Sequence, residues 1–128
     1  MASSLPRWLA IGGAILIAAI AADSLVPVAW QVRTGLHWLT EHFLAYFAVT
    51  VVFCLALQRP LAVAGVAVIL AALMEALQGL TADRIPDLPT ALSGTAGALT
   101  GPLVATLFTA LLNRRKKPRQ NQPRLIFV

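Results

Sequence analysis

The chain has 128 residues, of which 59% are hydrophobic and only 12% charged; a soluble domain carries about a quarter charged residues. The length allows one domain. The net charge of +5 arises largely near the C-terminus, where a basic run beside an apolar segment is a membrane-topology signal and not a nucleic-acid surface. Cys54 is the single cysteine, so an intrachain disulfide is excluded.

Four apolar segments follow in order, each near the ~20 residues that a membrane-crossing helix needs. The first runs from about Trp8 to Val26. Arg7, an apolar stretch and Ala19-Ile20-Ala21 also fit a secretory signal, but the apolar run continues to Val26, which favours a retained anchor. The second segment runs from about His42 to Leu57, the third from about Leu61 to Leu80 and the fourth from about Leu88 to Leu112. Backbone groups in lipid must be satisfied within each segment, so all four are predicted helices. The expected fold is an all-α, integral membrane four-helix bundle over residues 1–112, followed by a basic, flexible cytoplasmic tail over 113–128. Gly97 and Gly101 form a GxxxG spacing in the fourth segment, which implies close helix packing. Pro102 lacks an amide hydrogen, and a kink about one turn earlier is expected.

Lys and Arg set the orientation. With four spans, Arg7, Arg59, Arg114, Arg115, Lys116, Lys117, Arg119 and Arg124 share one side, and only Arg33 and Arg84 fall on the other. Both termini are therefore expected in the cytoplasm, with the chain a multi-pass protein of the bacterial inner membrane. The loops over 27–41 and 81–87 then face outward.

This topology gathers the polar groups near the outer face. Glu41, His42 and Tyr46 open the second helix, Glu75 and Gln78 close the third, and Arg84 and Asp87 lie in the loop that follows. His42 and Tyr46 are four apart and Glu75 and Gln78 three apart, so each pair shares one side of its helix. Charged groups in a membrane segment usually face a protein interior or a water-filled cavity. Plainer roles compete. His42 can be a hydrogen-bonded structural residue, Tyr46 can simply bury its ring, and Glu75 with Arg84 can be a buried ion pair that fixes the bundle. Asp83 reads as a solvated loop residue. Arg84 is expected within salt-bridge reach of Glu75 or Asp87 and close to His42.

Glu41-His42-Phe43-Leu44-Ala45-Tyr46 resembles the His-Phe-x-x-Tyr signature of the VanZ-like membrane proteins. Glu75-Ala-Leu-Gln78 is similar to the family's Glu-x-x-Gln element. Arg84-Ile-Pro86-Asp87 followed by Gly97 resembles its Arg-x-Pro-Asp loop and glycine-containing last helix. The likeness covers roughly residues 37–101. Thr90 and Gly94 stand where the family usually carries Asp and Asn, and Trp38 and Leu39 replace an Asp-Lys pair before the histidine. The polar cluster is therefore thinner than the family's. The resemblance implies a cell-envelope membrane protein, in a family linked to low-level teicoplanin resistance, and supplies a site more than a reaction.

Three functions are consistent with these residues. In the first, Arg84 meets the anionic group of a lipid, lipoglycopeptide or polysaccharide intermediate, and Glu41, His42, Tyr46, Glu75, Gln78 and Asp87 position it. In the second, the chain is a structural subunit packed against a larger membrane-protein partner. In the third, it is a membrane enzyme on a lipid-linked substrate with Glu75 or His42 as general base, although Ser93 with His42 makes no clear nucleophile–base set. No HExxH or comparable ligand spacing occurs. No metal, cofactor or nucleic acid is expected, and the bilayer itself is the one certain partner.

Overall fold

The computed structural model describes residues 5–81 and 83–116. Four α-helices account for most of them: α1 (Leu5–Leu25), α2 (Trp38–Leu57), α3 (Pro60–Gln78) and α4 (Leu88–Lys116), with a 3-10 turn at Val28–Trp30. All four are long and apolar enough to cross a membrane. The protein is thus an all-α, multi-pass membrane protein.

The helix ends differ from the apolar runs by a few residues, each for a local reason. α2 starts at Trp38, one turn before His42, because His37 caps it: its Nδ1 accepts the Leu39 N–H at 3.4 Å. Glu41 lies in that first turn, where a carboxylate complements the helix dipole. α2 ends at Gln58, which takes the left-handed conformation (φ 56°) and donates its N–H to the Cys54 carbonyl. Pro60 then opens α3, the position at which a missing N–H costs nothing. α3 stops at Gln78 and not at Leu80, since the Thr81 hydroxyl takes the Gln78 carbonyl at 2.6 Å. α4 extends past Leu112 through Asn113 to Lys116, so the start of the expected tail is helical. Basic residues suit a helix C-terminus. The rest of that tail lies outside the described residues. α4 also continues as one helix through Pro102.

α2 and α4 run parallel and form the closest pairing of the bundle. A Cβ on Gly97 would fall on the Phe43 carbonyl oxygen and beside Phe47 N, and one on Gly101 would fall on Thr50 Oγ1 and near the Phe47 carbonyl. The GxxxG spacing is therefore where two backbones meet. Thr50, fully buried, satisfies its own hydroxyl by donating to the Tyr46 and Phe47 carbonyls. Further along, Cys54, Val63 and Ala105 form a small core with Phe53 packed on it. The Phe53 ring also sits on Gly13, which ties α1 to α2. α3 packs on α4, and α1 touches α3 only sparsely.

The core is built of small side chains, among them Ala67, Ala71, Ala98 and Ala105. Large apolar ones such as Ile15, Leu44, Val66, Leu73, Leu103 and Leu107 point outward. In water that surface would aggregate, whereas in hydrocarbon it is the solvated face. Without a hydrophobic drive between helices, close packing of small residues is what holds such a bundle.

Candidate functional site

The C-terminal ends of α1 and α3 and the N-terminal ends of α2 and α4 meet at one end of the bundle and enclose a cavity of about 390 Å³. Six of the seven expected site residues line it: Glu41, His42 and Tyr46 from α2, Glu75 and Gln78 from α3, and Arg84 from the α3–α4 loop. Asp23 of α1 and the stretch Gln31–Thr34 of the α1–α2 connection complete its polar wall. Asp87, the seventh, is not part of the lining but is bonded to it. Its backbone N–H donates to Glu75 Oε1, and its Oδ2 accepts the Thr90 hydroxyl at 2.8 Å.

The ion pair expected between Arg84 and Glu75 or Asp87 is not formed. At the start of α4, Glu75 accepts an orphan backbone N–H, that of Asp87, and the Asp87 carboxylate accepts the Thr90 hydroxyl. Arg84 donates its backbone N–H to the Thr81 carbonyl at 3.4 Å. Its side-chain Nε and Nη2 are buried, with no hydrogen-bond partner among the described residues. Five donors on a fixed planar fork that cannot lose its charge demand acceptors.

The other groups are held in defined states. His42 Nδ1 lies 3.1 Å from the Trp38 carbonyl. A carbonyl can only accept, so Nδ1 is the donor of this bond. Glu41 Oε1 accepts both the N–H and the hydroxyl of Thr34, at 2.9 and 2.6 Å. Gln78 is buried and donates through Nε2 to the Ser24 carbonyl at 3.4 Å, joining α3 to α1. Tyr46 lies against Gly94, where a Cβ would come within 3.0 Å of its ring. Gly94 is therefore what admits the tyrosine at that depth. Thr90, buried, stands close enough to Asp87 to secure it.

Neither protein-family models, curated proteins nor solved structures contain a match to this chain.

Several contributors were not visible in the sequence. Asp83, read as a solvated loop residue, is exposed, yet its Oδ2 accepts the Val28 N–H at 2.8 Å. Asp23 Oδ1 accepts the Val32 N–H at 2.8 Å, and Gln31 Nε2 donates to the Asp23 carbonyl. With Glu41 on Thr34, three carboxylates thus fasten the α1–α2 connection across the polar end. Of the two that the sequence did not place at the site, Asp23, at the end of an apolar run, carried a local signal and Asp83 carried none. Ser93 donates its hydroxyl to the Leu39 carbonyl and so serves the α2–α4 contact. Among the described residues, no group of three or more His, Cys, Asp or Glu side chains is placed to hold a metal ion.

Chemically, the cavity is lined by a half-buried guanidinium, an imidazole, a phenol and several carboxylates that each have an oxygen already bonded to backbone.

Proposed function

We propose that this is a VanZ-like protein of the bacterial inner membrane that binds an anionic, lipid-linked or glycopeptide intermediate of the cell envelope in its polar cavity. The two termini would be cytoplasmic and the cavity would open at the outer face, following the distribution of Lys and Arg. The observation that carries the reading is the Arg84 guanidinium. Two of its nitrogens are buried and unpartnered among the described residues, in a wall shared with His42, Tyr46, Glu75 and Gln78. An arginine left this way is prepared for a carboxylate or phosphate brought in by a ligand, bound through two parallel N–H bonds. Five of the residues that carry the VanZ resemblance, His42, Tyr46, Glu75, Gln78 and Arg84, line this cavity, which supports reading them as one site.

Native mass spectrometry of the purified chain with a panel of anionic envelope lipids tests the reading. Wild type should retain an anionic lipid that Arg84→Ala loses. Arg84→Lys should bind weakly, because an ammonium does not reproduce the fork. Equal retention by wild type and Arg84→Ala would remove Arg84 from the role.

A further inference from the structure

A second, smaller opening of about 80 Å³ adjoins the polar cavity. The two share Ile20, Ala45, Tyr46 and Met74 as a common wall. Beyond that wall the small opening is lined by Ile17, Ala21, Val49 and Leu70 and has almost no polar surface. It lies nearer the middle of the bundle, one turn of α1 and one turn of α2 deeper than the polar groups. It is bounded by α1, α2 and α3, where the contact between α1 and α3 is sparse.

Resting on the proposed role of Arg84, we propose that the ligand is an amphiphile: a phosphate-headed lipid whose head enters the polar cavity while one hydrocarbon chain lies in the apolar crevice between α1, α2 and α3. Three observations converge on this occupant. Arg84 Nε and Nη2 are buried and without a partner among the described residues, and an anion supplies the acceptors that this charged fork lacks. The carboxylates Asp23, Glu41 and Glu75 each accept a backbone N–H, and none of them is a hydrogen-bond partner of Arg84 Nε or Nη2. The apolar crevice adjoins that cavity across the shared wall of Ile20, Ala45, Tyr46 and Met74 and lies deeper in the bundle. A soluble phosphate or sugar phosphate would leave this crevice without a partner, whereas a lipid fills both compartments in the orientation it already has in the membrane. The loosely packed α1–α3 side gives a lateral way in from the bilayer. Tyr46 lines both compartments, so its amphipathic ring stands at the junction of head and tail, where such rings are favoured.

The test uses the full chain in an uncharged detergent, with phosphatidylglycerol as the lipid probe and glycerophosphoglycerol as the same head without tails. Binding is read by native mass spectrometry and by competition. Ala21→Phe fills the crevice, while Ala22→Phe adds the same ring on an exposed position of the same helix. The expected result is that phosphatidylglycerol binds to wild type and to Ala22→Phe alike, and that Ala21→Phe binds it about tenfold or more weakly. The tail-less head should compete at least about tenfold less well than the lipid. If Ala21→Phe binds as wild type, or the head alone competes as well as the lipid, the tail site is overturned, while Arg84 can still be the anion contact. If Arg84→Ala leaves lipid binding unchanged, the underlying reading fails and the tail site fails with it. The comparison of lipid with head alone remains decisive even if Ala21→Phe does not fold.

Discussion

Gly97 is the point at which α4 passes closest to α2, and Gly97→Ala measures how much that contact matters. The added methyl would land on the Phe43 carbonyl oxygen, with Phe43 C and Phe47 N at 3.0 and 3.1 Å. All three are backbone atoms, so no rotamer change relieves the clash, and the parallel helices must move apart. Overpacking of this kind costs ~1–3 kcal/mol. Alanine in a helix recovers up to ~1 kcal/mol over glycine. For rigid backbone contacts the overpacking cost should fall near the top of that range, and after the alanine gain the net loss is on the order of 2 kcal/mol. At ~4 °C of melting temperature per kcal/mol for a chain of this size, the variant should melt ~8 °C below wild type. Gly65→Ala is the control: a Cβ there meets nothing within 4 Å, so it should melt at or slightly above the wild-type temperature. Circular dichroism during heating in mild detergent reads both. A Gly97→Ala protein that melts with wild type would refute the claim that the α2–α4 backbone contact holds the bundle together.

Reporter fusions after Asn113 and within residues 27–41 should report opposite sides of the membrane, with the C-terminal fusion cytoplasmic; an external C-terminus would turn the polar cavity to the inner face. Glu75→Leu should insert as well as wild type, because it removes a charge from an apolar segment. It should nevertheless melt lower, by ~1–3 kcal/mol of stability, because the Asp87 N–H at the start of α4 loses its acceptor, and an unchanged melting temperature would show that this bond is not what secures the helix.

Hydropathy alone settles that there are four helices and where they lie to within about a turn, because in lipid each helix must satisfy its own backbone and carry an apolar surface. The exact ends escape that argument: His37 and Thr81 act through caps at polar positions, where an apolar run has already faded. The polar cluster was equally legible as a list. Spacing put His42 with Tyr46 and Glu75 with Gln78, and helix count put them at one end. What spacing could not decide was who bonds to whom. Glu75 has both Arg84 and the Asp87 N–H within the same loop, and the helix N-terminus takes the carboxylate. Asp83 finds its partner at Val28, 55 residues away, and Ser93 finds Leu39 at a separation of 54. Gly94 reads in sequence as a missing polar group, but in the bundle it is the space that Tyr46 occupies. Helix formation in a membrane depends on the residues of one segment. The allocation of a few donors and acceptors among four segments depends on their positions in space, and so the state of Arg84 emerges only from the packed bundle.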